Sequence, residues 1–229
     1  ADGRAEDDGF NRLIVEIGVT WREAAFLRTC ARYRQQTGLD PSQAIQEEAL
    51  AAYPDIARGL LELARVKFDP AFEGDQKART EAANGVGENI LSQLDAVRSL
   101  DHDRALRRMF ALIQATLRTN FYQTDAAGEV KPRISIKIDS VSLVDLPLPK
   151  PYREIFVWSP DVEGIHLRFG PVARGGLRWS DRRDDFRTEV LGLVKAQQVK
   201  NAVIVPVGSK GGFYPKSLPR GGSRDEVFE

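Results

Sequence analysis

The chain has 229 residues, of which 42% are hydrophobic and 29% are charged, which is enough apolar material for one large domain or two small ones. Lysine plus arginine number 33, as do aspartate plus glutamate, so no overall field favours nucleic acid or an anionic membrane as a partner. The single cysteine, Cys30, cannot form an internal disulfide, and no apolar run approaches the roughly 18 residues of a membrane span. We predict a globular, cytoplasmic protein that binds neither nucleic acid nor membrane, so any basic site must come from local clustering.

The two ends of the sequence indicate a piece of a longer protein. The chain begins at Ala1, and its only methionine is Met109. It stops at the charged stretch RDEVFE without a closing Gly or Pro signal. We therefore expect the natural protein to be longer than this chain.

Helical patterns fill the first half. In VTWREAAFLRTCARYRQQTG, Thr20 and Glu23 have capping-box spacing, and Gly38 stands where a left-handed helix stop is expected. In LDPSQAIQEEALAAY, Asp40 is predicted as the N-cap, with Pro41 in the first helical position. The segment DIARGLLELARVKF predicts the next helix.

A glycine-containing stretch, NGVGEN at 84–89, predicts a break between helices. After it, ENILSQLDAVRSL and DRALRRMFALIQATLRTNF continue the helical pattern. The second of these carries an apolar stripe typical of a packed core, at Leu106, Met109, Phe110, Ile113 and Leu117.

The pattern changes around TDAAGEVKP, so we place a boundary between a helical segment, residues 1–123, and a second unit, residues 124–229. In the second unit RISIKIDSV, EIFVW, GIHLRFG and NAVIVPV predict strands, and DFRTEVLGLVKAQQVK predicts a helix. The predicted fold class is α+β or α/β. It consists of a mostly helical segment followed by a partial mixed β-sheet with crossing helices, and this chain holds no Rossmann domain.

Two glycine-flanked basic residues are the candidates for an anion site. Lys210 stands in GSKGG directly after a predicted strand, where glycines would let the backbone turn sharply and aim the amine into a cleft. The spacing alone is equally compatible with an ordinary surface turn. Arg174 adjoins a glycine pair and has no neighbouring acid.

Other charged and titratable residues favour structural interpretations. Arg182, Arg183 and Arg187 interleave with aspartates and predict a solvated, salt-bridged helix start. His102 and His166 are isolated from cysteines and carboxylates at ligand spacing, so we predict no metal site. The sequence contains no G-x-G-x-x-G, no Walker loop and no G-x-S-x-G.

The ordered motifs RGGLRWS, EVLGLVKAQQVKNA and PVGSKGG resemble the substrate-binding half of glutamate dehydrogenases. The longer stretch VARGGLRWSDRRDDFRTEVLGLVKAQQVKNAVIVPVGSKGG is similar to the very large, multi-domain NAD-specific glutamate dehydrogenases. FNRLIVEIGVTWREAAFLRTCARYRQQTG and FALIQATLRTNF resemble that subfamily too. The resemblance covers nearly the whole chain and implies that 124–229 begin a substrate domain of the glutamate dehydrogenase type.

The resemblance also implies roles for individual residues. Lys210 matches the family's catalytic lysine, which helps to activate water and to polarise the substrate. Gln197 and Lys200 match the residues that hold the α-carboxylate of the substrate. Arg174, with Gly175 beside it, occupies the place where small members have a lysine for the side-chain carboxylate.

By the same resemblance, the intact enzyme interconverts L-glutamate with 2-oxoglutarate and ammonia, uses NAD, serves glutamate catabolism and forms a homo-oligomer. The family's catalytic aspartate and its NAD-binding domain lie downstream of these motifs, so this chain alone is expected to be inactive. Chemistry agrees, because a dicarboxylate needs cations at two separated points and a lysine crowded by cations can exchange protons near neutral pH. Two alternatives remain open: a non-catalytic module that binds a dicarboxylate or phosphate, and a structural oligomerisation region.

Overall fold

The computed structural model describes residues 6–40, 42–200 and 207–218, with the side chains of 197–200 left out. After a short 3-10 helix, Gly9–Asn11, the helices are α1 Arg12–Glu16, α2 Trp21–Gln36, α3 Gln43–Ala52, α4 Pro54–Phe68, α5 Gln76–Leu94, α6 Leu100–Ala115 and α7 Phe186–Lys200. The strands are β1 Thr116–Thr119, β2 Ile134–Ile138, β3 Arg153–Trp158, β4 Val162–Arg168, β5 Leu177–Trp179 and β6 Ser209–Pro215. The predicted combination of a helical first half with a later sheet is confirmed.

Local signals define both ends of α2. The Thr20 amide donates to the Glu23 carboxylate at 2.7 Å, and the Glu23 amide donates to the Thr20 hydroxyl at 3.2 Å, which confirms the capping box. Gly38 has φ +69°, in the left-handed region, as expected just after the helix. These ends are set by neighbouring residues alone.

The predicted N-cap of α3 is wrong. The helix begins at Gln43 with Ser42 at the N-cap, and Pro41 lies outside the described residues. The Asp40 carboxylate is fully buried and accepts hydrogen bonds from Arg34 at 2.9 Å and from Arg108 at 2.8 Å. Two guanidinium groups therefore hold the carboxylate that we expected to cap the helix.

The predicted break at 84–89 is also wrong, since α5 continues through it. A Cβ on Gly87 would lie 3.2 Å from the Gln114 side chain and 3.5 Å from that of Phe110. The glycine thus lets α6 pack closely on α5. Burial of this contact offsets the cost of about 1 kcal/mol for a glycine inside a helix.

The last predicted helix of the first half ends earlier than expected. α6 stops at Ala115, and the next four residues form β1, which pairs antiparallel with β2. Leu117 is 43% exposed on this strand and not part of the helix stripe. These four residues pair with the free edge of β2. Two of them are threonines, which have a high strand propensity.

The sheet is mixed, with strand order β1-β2-β3-β4-β6-β5. All neighbours are antiparallel except β5 and β6, which are parallel and are connected through α7 as in a βαβ unit. One face, here called the helix-covered face, is buried beneath α2 and α7, whereas the opposite face, here called the open face, is partly exposed. The predicted strand NAVIVPV lies outside the described residues except for Val207.

One continuous cluster of buried apolar side chains joins the helices to the sheet. It includes Phe26 of α2, Leu60 of α4, Ile113 of α6, Phe156 of β3 and Val190 of α7. The division at 123/124 stays a prediction. None of the described helices is both long enough and apolar enough to cross a membrane.

Candidate substrate-binding site

Lys210 lies inside a strand and not in a turn. It is the second residue of β6, where it pairs with Leu167 of β4 and therefore lies on the same face of the sheet as that buried leucine. Neither Gly211 nor Gly212 has a positive φ. The predicted sharp turn at GSKGG is thus wrong.

Gly211 and Gly212 instead allow neighbouring elements to pack closely on β6. A Cβ on Gly212 would lie 2.5 Å from Cγ2 of Val190, so this glycine lets α7 rest directly on the helix-covered face. A Cβ on Gly211 would lie 2.4 Å from Cδ2 of Leu177 on the opposite side. Lys210 is therefore followed by two glycines, of which Gly211 admits Leu177 and Gly212 admits α7.

Arg174 comes to the same part of the sheet through the strand next to β6. The Ser209 amide donates to the Arg174 carbonyl, and the Gly211 amide donates to the Gly176 carbonyl, each at 3.0 Å. This register sets Arg174 opposite Gly208 and Gly176 opposite Lys210. Arg174 therefore lies three residues before β5, two positions from Gly176, and this register sets it on the helix-covered face together with Lys210.

The space next to the lysine amine is left open by a glycine. A Cβ on Gly176 would lie 3.9 Å from Nζ of Lys210. Gly175 is exposed between Arg174 and Gly176. A larger side chain at 176 would occupy the approach to the amine.

Charge pairing separates these two cations from their basic neighbours. Arg178 forms a salt bridge with Glu189, whose other oxygen accepts from Ser180 at 2.6 Å. By contrast, the side chains of Arg174 and Lys210 form no hydrogen bond or salt bridge with any described residue. Two cations on one face that no described residue neutralises are suited to an anionic ligand.

The first turn of α7 is fixed by a buried ion pair. Arg187 donates to both oxygens of Glu154, at 2.8 and 2.6 Å, and the hydroxyl of Tyr33 donates to the same carboxylate at 3.1 Å. Although burial opposes the charge, the paired carboxylate raises the pKa of Arg187. The predicted solvated role of Arg187 is wrong, whereas its neighbour Arg182 pairs with Asp185 at the surface as expected.

Gln36 adds a second link between α2 and α7. Its Nε2 donates to the Arg183 carbonyl at 2.6 Å, and its Oε1 accepts from the Arg187 amide at 3.2 Å. α2 therefore holds the start of α7 through side chains that are almost completely buried. The helical first half is in this way part of the support for the candidate site.

Gln197 and Lys200 lie in the last turn of α7. Because β5 and β6 are parallel, α7 runs opposite to β6, so the helix leads from Val190, above Gly212, back toward the start of β6. The rise from 190 to 197 is about 10 Å along the helix, and the step from 212 to 210 is about 7 Å along the strand. The backbone thus brings the last turn of α7 toward Lys210, while both side chains lie outside the described part.

The two histidines do not lie on the face of the sheet that carries these cations. His102 contacts the ring of Tyr53 edge-on, with centroids 6.0 Å apart. His166 lies on the open face, where burial and the nearby Arg168 lower its pKa. Across the described ranges, no three His, Cys, Asp or Glu side chains are grouped to hold a metal ion.

Comparison with known proteins identifies the family of the chain. Residues 89–229 match the family model described as the catalytic domain of bacterial NAD-glutamate dehydrogenase. The chain belongs to this family. Residues 5–70 match helical motif 3 of glutamate dehydrogenase, so the family resemblance predicted from the motifs is confirmed in both halves.

Individual members of the family cover almost all of the chain. It is 54% identical over 98% of its length to the NAD-specific glutamate dehydrogenase of Pseudomonas aeruginosa. Identity is 51% over 97% for the enzyme of that name from Halomonas elongata, and 50% over 95% for that from Mycobacterium tuberculosis. The matched region spans only 14%, 14% and 13% of these relatives.

Sequence reasoning missed the buried carboxylates that support α7 and the sheet. Glu154 shares a face with Phe156 and Trp158 in β3, and Glu163 shares that face with Ile165 and Leu167 in β4. Strict alternation along REIFVW and VEGIHLR was the available signal, because it sets each glutamate on the apolar side. Such a position demands a buried cation, which Arg187 supplies to Glu154, and Arg32 and Lys216 supply to Glu163.

Proposed function

We propose that this chain contributes the dicarboxylate-binding part of an NAD-dependent glutamate dehydrogenase. The complete enzyme converts L-glutamate, NAD and water to 2-oxoglutarate, ammonium and NADH, with release of a proton. The observation that carries the proposal is that Arg174 and Lys210 lie close together on one face of the sheet and that no described residue neutralises either cation. Family membership supports this reaction over a non-catalytic module.

The two carboxylates of glutamate are assigned to different residues of the site. Arg174 binds the side-chain carboxylate, since a planar guanidinium can donate two parallel hydrogen bonds to it. Gln197 and Lys200, at the end of α7, hold the α-carboxylate. The substrate is then oriented with its α-carbon next to Lys210, and Gly175 and Gly176 leave room for its chain.

Lys210 exchanges protons with the amine and with the attacking water at the α-carbon. As a neutral amine, Lys210 can take the proton that the attacking water loses, and as an ammonium it can give a proton to the departing nitrogen; the reverse reaction uses the same transfers in the opposite order. Lys210, which no described residue neutralises, thus serves both proton transfers at the α-carbon of the substrate.

NAD supplies the hydride acceptor when it is bound. No glycine fingerprint of a dinucleotide-binding turn occurs in these 229 residues, so this chain's own residues do not fit the dinucleotide, and we assign its site to the rest of the enzyme. The setting that fits this reaction is glutamate catabolism in the cytoplasm by a homo-oligomer. The 229-residue chain alone is expected to produce no NADH from glutamate.

Steady-state kinetics of the full-length enzyme tests the role of Lys210. Lys210→Ala should lower kcat by about 10² to 10⁴, the usual contribution of a general acid or base, with little change in the KM for NAD. Lys195→Ala is the matched control, because Lys195 is exposed on α7, and it should leave kcat unchanged. Near-normal turnover of folded Lys210→Ala at saturating glutamate would reject this mechanism.

A second variant separates binding from chemistry. Arg174→Ala should raise the KM for glutamate and 2-oxoglutarate about 10- to 150-fold, since it removes a charge-assisted contact of about 1.5 to 3 kcal/mol. If the KM for both substrates stays the same, Arg174 does not contact the dicarboxylate. If the full-length protein binds 2-oxoglutarate but never turns over, the non-catalytic module is the better description.

A further inference from the structure

The open face of the sheet carries four cations on neighbouring strands, here called the basic row: Arg118, Lys137, Arg153 and Arg168. Two of them form a directly opposed pair between β1 and β2, Arg118 with Lys137. The other two form a directly opposed pair between β3 and β4, Arg153 with Arg168. Like charges directly opposite each other destabilise a sheet, so this arrangement opposes folding unless an anion compensates it.

The described residues compensate only a small part of this charge. Arg153 pairs with Asp139 at 2.8 Å, and Arg168 donates to the carbonyls of Gly170 and Pro171. Among described residues, no carboxylate forms a salt bridge with Arg118, Lys137 or Arg168. Burial and the nearby guanidinium groups of Arg118, Arg168 and Arg153 lower the pKa of Lys137, which agrees with a crowded cationic surface.

An apolar groove runs beside the basic row on the same face. It is lined by Ile155, Val157, Val162, Leu177 and Phe213, has a volume of about 330 Å³, and is floored by Gly164. Leu177 is 72% exposed. An apolar groove of half-buried side chains with an exposed leucine, next to a row of cations, is typical of a protein contact surface.

We propose that this face binds an acidic, amphipathic segment of the same polypeptide that lies outside this chain. Its apolar side chains fill the groove, and its aspartates or glutamates pair with the basic row. Most of each relative's length lies outside the matched region, so the intact protein has ample chain to cover the face.

Charge argues against two other occupants. If a second copy met this face symmetrically, the four cations of one copy would face the four cations of the other. Asp139 would not relieve this repulsion, because it is already bound to Arg153. A nucleic acid would satisfy the cations but would leave the apolar groove without a partner, because its contacts are mostly with phosphates. An acidic, amphipathic peptide pairs with the basic row and also fills the apolar groove.

Zero-length carbodiimide cross-linking of the full-length protein tests the proposal, with mass spectrometry of the joined peptides. We expect an amide between Lys137 and an Asp or Glu outside residues 1–229, within one polypeptide. Heavy- and light-isotope proteins mixed before assembly distinguish links within a chain from links between copies. The Lys77 to Glu81 pair, 3.8 Å apart on the exposed side of α5, is the positive control for the chemistry.

Variants make the result specific. Lys137→Arg keeps the charge but removes the amine, so the link should disappear while activity and fold remain. Arg118→Glu with Lys137→Glu should expose the face and accelerate amide exchange in β2 and β3, and reversing the charge of the cross-linked acid should restore protection.

Four outcomes would overturn the proposal. The first is an unmodified Lys137 in a sample where the Lys77 to Glu81 link forms. The second is a Lys137 link to an acid within residues 1–229, and the third is a link between heavy and light copies. The fourth is retention on heparin that is lost in Arg118→Gln with Lys137→Gln, which would assign the face to a nucleic acid.

Discussion

Replacing Arg187 by methionine should destabilise the fold by about 3 to 5 kcal/mol, because Glu154 would stay buried without a cation. The guanidinium donates to both carboxylate oxygens, at 2.8 and 2.6 Å, and the two side chains are 2% and 0% exposed. Only the uncharged hydroxyl of Tyr33, at 3.1 Å, would remain as a partner. Methionine keeps an unbranched stem, so the change mainly removes the charge.

Urea unfolding of the chain, followed by circular dichroism, measures the free energy of unfolding. Arg182→Met is the control. Arg182, five residues before Arg187, pairs with Asp185 at the surface, so its replacement should leave the urea midpoint unchanged. Adding Glu154→Gln to Arg187→Met removes the unpaired charge and keeps an oxygen for Tyr33. This double variant should recover most of the lost stability.

The reasoning is refuted if Arg187→Met shifts the urea midpoint no more than Arg182→Met does. Glu154 would then be solvated without its partner, and the pair would not hold α7 on the sheet. Failure of the double variant to recover stability would show that packing, and not charge, is the main contribution of Arg187.

Gly212→Ala should set a methyl group 2.5 Å from Cγ2 of Val190, push α7 away from the sheet and cost about 1 to 3 kcal/mol in thermal unfolding. Cys30 is fully buried, and burial raises its pKa, so it should react with a thiol reagent only as the chain unfolds, as followed by absorbance. The Ser180 hydrogen bond and Arg178 lower the pKa of Glu189 below its ordinary 4.5. Its stabilising contribution is present above that pH and is lost as the pH falls through the lowered pKa, so Glu189→Gln should flatten the acid side of the melting-temperature profile.

Each of these has a contrary outcome. Gly212→Ala as stable as the parent would show that α7 can shift at no cost. Rapid labelling of Cys30 in the folded chain would reveal opening of the helical core. An acid limb that is the same in Glu189→Gln and in the parent would mean that Arg178 and Ser180 add nothing to stability.

The parts of the fold predicted from sequence depend on neighbouring residues. The Thr20 and Glu23 capping box and the left-handed Gly38 define α2 by contacts within one turn. The alternation of Ile134, Ile136 and Ile138 predicts β2, since side chains of a strand point to alternate faces. The motifs around Lys210 likewise predict the family, which is shown by comparison.

Tertiary contacts decided the parts that were predicted wrongly. Gly87 is in a helix because α6 packs against it, although glycine favours a break by its own propensity. Thr116 and Leu117 are in a strand because β2 offers an unpaired edge. In each case a partner distant in sequence contributes more free energy than the local preference of the residue.

The candidate site shows the same division. The sequence by itself determined which residues carry charge beside glycines, namely Arg174 and Lys210. Only the tertiary structure decided that Gly212 serves the approach of α7 and that Arg187 is buried against Glu154, whereas Arg174 and Lys210 have no described counter-ion. The physical reason is that desolvation and charge pairing depend on which elements meet in space, and a pattern along one strand or helix does not contain that information.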